Sequence, residues 1–240
     1  MKISIIIPTK NEEKVIEKAL KQYLPFKKKF GIELIVSDGG STDKTIEIAK
    51  KYADRVIVKK KGEIQNIAGG RNAGAKVAKG DLLFHTDADV IIPNKKEFFK
   101  RVLEVFENKN FVALTTNLKI YPEEEKLEDK IAHFLINTSI KTVNKLGLSF
   151  FGKGECQIVR ASAFKKINGY KIQYFEDCRL FYALKKHGKI AYLGDLVIYH
   201  SPRRFRKKGY LGLLAISAVE TIYILLKGKA SLLKDWEPVR

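Results

Sequence analysis

The chain is short of several residue types, and each shortage removes a class of protein. Its 240 residues include two cysteines, one methionine, one tryptophan, six prolines and four histidines. Cys156 and Cys178 have neither a metal-ligand nor a redox spacing, which leaves reduced thiols in a reducing cytosol as the reading. No low-complexity tract or flexible linker argues for disorder. Met1-Lys2 lead straight into a strand of a few residues, so no N-terminal signal peptide is expected. Acidic residues are also few, 27 against 46 basic, giving a net charge of +19. That excess calls for an anionic partner or surface. The lysines are scattered over solvated helix faces, so no nucleic acid partner is expected. Abundant Lys and Glu with one Met and four Gln give a thermophile-like composition.

What is present is a globular composition, 45% hydrophobic, long enough for one core or one core with an appendage. The first half alternates strand and helix. Strands are expected at Ile3–Ile7, Glu33–Val36, Arg55–Val58 and Asp81–His85. Helices are expected at Glu12–Tyr23, Asp43–Tyr52 (capped by Ser41 or Thr42) and Asn66–Ala78. Such alternation implies right-handed crossovers and a parallel sheet buried on both faces, with ligands outside the carboxyl ends of its strands. The second half predicts helices at Asn94–Asn108, Glu124–Leu146, Ala161–Lys166 and Glu176–His187. It also predicts strands at Gln157–Val159, Ile190–Leu193 and Leu196–His200, with an apolar run at Phe111–Leu114. The Glu124–Leu146 helix carries an apolar stripe of Leu127, Ile131, Phe134, Leu135 and Thr138.

The carboxyl ends collect the polar residues. The first strand leads to Pro8-Thr9-Lys10-Asn11-Glu12, the second to Ser37-Asp38-Gly39-Gly40-Ser41-Thr42-Asp43, and the fourth to Asp87-Ala88-Asp89. Two carboxylates one residue apart at a strand end offer hard oxygen ligands for Mg²⁺ or Mn²⁺, and such a metal suits a diphosphate. The alternative is an acidic strand-to-helix turn. Three acid- or amide-rich tips on one sheet edge favour a nucleotide site.

These pieces, with Arg71-Asn72-Ala73-Gly74, Gly80-Asp81, Arg160, Phe164, Gly169-Tyr170 and Glu176-Asp177, resemble in order and spacing a family 2 glycosyltransferase of the GT-A fold. The resemblance runs from residue 3 to about residue 200. It implies an α/β fold with a Rossmann-like, mostly parallel sheet flanked by helices. It also implies a nucleoside-diphosphate-sugar donor of UDP or GDP type, a divalent cation (Mg²⁺ or Mn²⁺) and an inverting displacement. By that resemblance Pro8, Thr9, Asn11 and Glu12 line the base and ribose. Asp38 accepts from a base N–H, and Gly39 lets the backbone approach. Arg71, read as lying near a helix start, binds phosphate, with a surface salt bridge as the alternative. Asp87 and Ala88 meet the donor, and Asp89 binds the metal with Asp87 beside it. His200 is a third metal ligand through its neutral imidazole, or else a structural histidine. Asp177 is the general base and Glu176 its backup, or the two are acids at a helix N-terminus. With an ionised lipid phosphate as acceptor, Asp177 positions it instead. Tyr170 stands where Gly-Phe is frequent, and the Gln-x-x-Arg-Trp motif of processive synthases is absent. Single transfer is therefore expected.

Residues 1–202 are expected to form the catalytic domain, with a nucleotide-binding half at 1–90 and an acceptor-binding half at 91–202. Residues 203–240 are expected to form a basic and apolar appendage. Its arginines and lysines, Arg203, Arg204, Arg206, Lys207 and Lys208, precede the apolar run Leu211–Leu226. That run is shorter than the roughly 20 residues of a spanning helix. Ser217, Glu220, Thr221 and Lys227 share one narrow face, which is the pattern of an amphipathic helix lying on an anionic membrane. The expectation is a protein peripheral on the cytoplasmic face of the cell membrane with a lipid-linked acceptor; a helix packed on the core is the alternative. A sugar-nucleotide-forming nucleotidyltransferase would need a Gly-rich basic loop after the first strand, which is missing. A non-catalytic nucleotide-sugar-binding module is disfavoured by intact Asp87, Asp89 and Asp177.

Overall fold

The structure, a computed structural model, describes residues 1–60, 66–146, 153–171 and 176–210, with 212, 215 and 219, and omits the side chains of 143 and 144. The elements run β1 (Ile3–Thr9), α1 (Ile16–Lys21), α2 (Lys27–Phe30), β2 (Ile32–Asp38), α3 (Thr45–Tyr52), β3 (Arg55–Val58), α4 (Ile67–Val77) and β4 (Leu82–His85). They continue with α5 (Lys95–Glu107), β5 (Phe111–Ile120), α6 (Leu127–Lys145), β6 (Gln157–Arg160), α7 (Ala161–Lys166), α8 (Glu176–Leu184), β7 (Lys189–His200) and α9 (Arg203–Lys208).

The seven strands form one sheet in the order β3-β2-β1-β4-β6-β5-β7. β1 pairs in parallel with β2 and β4, and β2 with β3. β6 runs antiparallel between β4 and β5, and β7 returns parallel to β5. β1 is buried at every residue but Pro8, as a central strand covered on both faces must be. One face packs Tyr23, Phe98, Phe99 and Phe106 against the sheet, and the other packs Phe164, Tyr170 and Phe181. α4 lies very close to β1. A Cβ on Gly74 would stand 2.4 Å from Cγ2 of Ile6, so only glycine fits there. Asn66 caps α4 by accepting from the Gly69 amide at 2.8 Å, and Asn94 caps α5 by accepting from the Glu97 amide at 3.2 Å.

Several elements depart from expectation. α1 begins at Ile16 because Asn11 adopts a left-handed φ of 54° and the chain turns before the helix. Neither Ser41 nor Thr42 caps α3. The helix begins at Thr45, whose amide donates to Asp43 Oδ1 at 3.0 Å. The two expected strands at Ile190–Leu193 and Leu196–His200 are one strand, β7, irregular where Thr116↔Leu193 gives way to Asn117↔Val197. The largest departure is α6. Its apolar stripe faces outward, with Leu127 73%, Ile131 53%, Phe134 68% and Leu135 51% exposed. The face packed on the domain carries Asp129, Ala132, His133 and Ile140. Periodicity marks an apolar face without saying what covers it. Apart from Gly212, Ala215 and Val219, the run Leu211–Leu226, with Ser217, Glu220 and Thr221, lies outside the described residues, as does Lys227.

Candidate active site

The tips of β1 and β2 are zipped together by short polar bonds. Thr9 Oγ1 donates to Asp38 Oδ2 at 3.0 Å, and the Gly39 amide donates to the Thr9 carbonyl at 2.8 Å. The Asn11 amide donates to Ser41 Oγ at 2.8 Å, and the Thr42 amide to Asn11 Oδ1 at 2.8 Å. The Glu12 amide donates to Thr45 Oγ1 at 2.7 Å, which leaves its carboxylate to reach elsewhere. Pro8 sits half-buried just before this zipper. Asp38 corrects an expectation. Its Oδ1 accepts from the Gly40 and Ser41 amides at 2.9 and 2.7 Å, and its Oδ2 accepts from Ser41 Oγ at 2.6 Å as well as from Thr9. A carboxylate has about four acceptor positions. All are taken and the residue is buried, so in this conformation Asp38 folds the turn rather than presenting an acceptor to a base.

Arg71 also differs from expectation. It lies in the second turn of α4 and is 1% exposed, neither at a helix start nor on the surface. Nη1 donates to Glu176 Oε1 at 3.0 Å, and Nη2 donates to Asp87 Oδ1 at 3.0 Å and to the Gly154 carbonyl at 2.9 Å. The guanidinium thus joins the tip of β4 to the first residue of α8, and its donors face protein carboxylates rather than open solvent. Burial alone would lower its pKa, but the acids around it, Asp87 foremost, outweigh that and raise it. Burial and then neighbouring Asp177 push Glu176 up to about 7, against the pull of Arg71. Burial raises Asp177 too, while the Cys178 amide, 2.8 Å from Oδ1, and then Arg71 hold it down. Two neighbouring acids with raised pKa values, one anchored to a buried arginine, suit a base poised near neutrality. Gly169-Tyr170 is tied to the residue after Arg71. Asn72 Oδ1 accepts from the Tyr170 amide at 2.9 Å, and Asn72 Nδ2 donates to its carbonyl at 2.9 Å. Gly169 makes this possible at φ 67°, where a Cβ would stand 2.5 Å from Asn72 Oδ1.

Asp89 is the most electrostatically loaded of the tip acids. Burial pushes it up to about 7; Arg203 opposes, and Asp87, Glu155 and Glu12 add to the rise. Ala88 between the two acids is buried. Arg203, expected in a membrane-facing appendage, instead reaches into the site. Its two terminal nitrogens grip Glu12 at 3.0 and 2.8 Å, and Nε lies 3.3 Å from Asp89 Oδ2. Arg206 likewise pairs with Glu128 and Asp129 of α6.

His200 is turned toward His133, with the two Nε2 atoms 2.9 Å apart. His133 Nδ1 lies 2.9 Å from the Asp129 carbonyl, which can only accept. That Nδ1 therefore carries hydrogen, its Nε2 accepts, and His200 Nε2 donates. The lone pair left on His200 Nδ1 lies 3.7 Å from Glu155 Oε1. Burial, then His133 and Lys153, lower His200 to about 3, so it is neutral. Among the described residues, no three His, Cys, Asp or Glu side chains group closely enough to hold a metal ion. The expected set of Asp87, Asp89 and His200 is not brought together, because each is held by another partner. The donor chemistry nevertheless fits a hard divalent cation, since Asp89 has three neighbouring acids, Asp87, Glu155 and Glu12, opposed by Arg203. Sequence reasoning missed Glu155 and the Arg71 bridge; the arginines from Arg203 onward read as able to reach a diphosphate or an anionic acceptor. The acidic character of Glu155, next to Cys156, was the only visible signal.

A parallel first half, an inserted antiparallel strand and acids converging at one sheet edge define a GT-A type of architecture. The chain belongs to glycosyl transferase family 2, whose model matches residues 4–168. It is 28% identical over 217 residues to the poly(ribitol-phosphate) beta-N-acetylglucosaminyltransferase TarS of Staphylococcus aureus, covering 79% of this chain and 36% of TarS. The chain thus spans about a third of the length of the curated relatives it matches, 36% and 37% in three of them. Its fold is similar to that of the mannosyltransferase PcManGT from Pyrobaculum calidifontis in complex with GDP-Man and Mn²⁺. The TM-score is 0.70 at 18% identity, covering 95% of this chain and 65% of that one. It is also similar to glucosyl-3-phosphoglycerate synthase from Mycobacterium tuberculosis in complex with Mn²⁺, UDP and phosphoglyceric acid. There the TM-score is 0.65 at 18% identity, covering 94% and 77%.

Proposed function

We propose that the chain is an inverting, metal-dependent glycosyltransferase that moves one sugar from a UDP- or GDP-type sugar to an acceptor. Family membership supports sugar transfer. The observation that carries the site assignment is the Arg71 bridge, which fastens the Asp87-x-Asp89 tip to the Glu176-Asp177 pair through two 3.0 Å bonds. Donor-side and acceptor-side acids are thereby parts of one site.

In this reading Asp177 takes the proton of the acceptor hydroxyl as its oxygen attacks the anomeric carbon, and the bond to the diphosphate breaks on the opposite face. The raised pKa of the pair suits that task near pH 7. Glu176, fixed by Arg71, orients Asp177. Asp89 and Asp87 would hold Mg²⁺ or Mn²⁺, and His200 through Nδ1 is the further candidate. When bound, the cation offsets negative charge on the departing diphosphate. PcManGT and glucosyl-3-phosphoglycerate synthase were both solved with Mn²⁺ and a guanosine or uridine diphosphate compound, which supports that choice. Arg203 stands between Glu12 and Asp89 as a cation that a diphosphate can recruit. The acceptor is read as lipid-linked, at the cytoplasmic face of a membrane. The net charge of +19 supports an anionic surface there.

The test is Mn²⁺-dependent donor binding and hydrolysis over a panel of UDP- and GDP-sugars. Asp89→Ala is expected to abolish the Mn²⁺ dependence of both. Unchanged binding and turnover in that variant would remove the metal assignment.

A further inference from the structure

We infer that the outward face of α6 is a membrane-docking surface that lies on an anionic bilayer. The surface requires only the fold and is independent of the sugar-transfer reading. Leu127, Ile131, Phe134 and Leu135 form one stripe, each more than half exposed. The buried residues Asp129, Ala132, His133 and Ile140 fall on the opposite side of the same helix. The most apolar side of a 19-residue helix thus points away from the domain. Exposed apolar patches of this kind mark interaction sites.

Charge selects the occupant. Lys130 and Lys141 fall along one flank of the stripe at 3.6 residues per turn, and Lys145 closes the end of the stripe in line with Leu127; all three are exposed. Of these, Lys130 has a loose acidic partner, Glu125 at 3.9 Å. The acids Glu123–Glu125 precede α6 and Glu128 lies in its first turn, where Arg206 engages it and α9 adds exposed Lys207 and Lys208. A second copy of a chain of charge +19 would set these lysines against their own kind. Anionic headgroups complement them, and acyl chains take the stripe. No helix among the described residues is long and apolar enough to cross a membrane, so α6 would lie in the interface.

The inner face of the same helix reaches the candidate site, because His133 bonds His200. A bilayer under α6 therefore lies about one helix diameter, roughly 10–12 Å, from that histidine pair.

The experiment is flotation of the full chain with phosphatidylcholine vesicles, with and without phosphatidylserine. Wild type is expected to float only with phosphatidylserine and to release in high salt. The variant Ile131→Ser/Phe134→Ser/Leu135→Ser is expected to lose at least about tenfold in partitioning while its Tm and donor hydrolysis stay unchanged. Lys141→Glu/Lys145→Glu is expected to weaken binding and reduce its salt sensitivity. Flotation of the triple variant at the wild-type level overturns the proposal. So does conversion of a wild-type dimer to a monomer with flotation unchanged, which would make the face a self-interface.

Discussion

Residues 1–90 hold their site by bonds between neighbouring strand tips, whereas the rest of the chain holds it by bonds that cross almost the entire sequence. Thr9 and Asp38 are 29 residues apart, but Arg71 and Glu176 are 105 apart and Glu12 and Arg203 are 191 apart. Most of the bonds that join the tips of β1 and β2 lie within residues 9–45. Asp87 and Glu176 share the single buried guanidinium of Arg71. The first region is built by local rules and the second by long-range charge compensation, so the two should fail differently.

Arg71→Met should separate them most strongly. It leaves Asp87 and Glu176 without their cation in a buried setting, and breaking such a pair costs about 3–5 kcal/mol. Urea unfolding is expected to show that loss, while Thr9→Val, which removes one bond in the zipper, should cost about 1 kcal/mol. Equal losses would erase the contrast. A smaller effect is expected from pH. Glu176 is pushed up to about 7 by burial and then by Asp177, and burial raises Asp177 as well, so both acids take up protons more readily than ordinary carboxylates as pH falls. The base is lost on the acid side, so donor hydrolysis should fall as pH is lowered from neutrality. A flat profile from pH 5 to pH 8 would deny these acids the role. The smallest effect belongs to α6. Phe134→Ser should change stability by less than about 0.5 kcal/mol, because the ring is already in solvent. Phe99→Ala, in the core under the sheet, should cost about 3–5 kcal/mol.

What could be read from sequence follows the same division. Asn66 and Asn94 announced the starts of α4 and α5 because a cap is a local hydrogen bond. The strand tips at Thr9, Asp38 and Asp87 were legible because apolar runs end there. Their occupancy was not, since nothing in the local sequence shows that Asp38 spends every acceptor on its own turn. The stripe of α6 was legible as a stripe but not as outward-facing, because periodicity is blind to which side meets the domain. Glu155 went unseen as a site residue because its neighbour His200 comes from β7, 45 residues on. The Asp87, Asp89 and His200 set failed to converge for a related reason. Asp87 is paired with Arg71, Asp89 with Arg203, and His200 with His133.

The central claim is that Asp177 is the base of a site whose donor half is separately built. Asp177→Asn keeps the size of the side chain and removes its charge. The account predicts that nucleotide affinity, read by calorimetry with UDP or GDP and Mn²⁺, stays at the wild-type value while hydrolysis of the matching donor sugar falls about 100- to 10,000-fold. Hydrolysis at the wild-type rate with nucleotide affinity intact would contradict it.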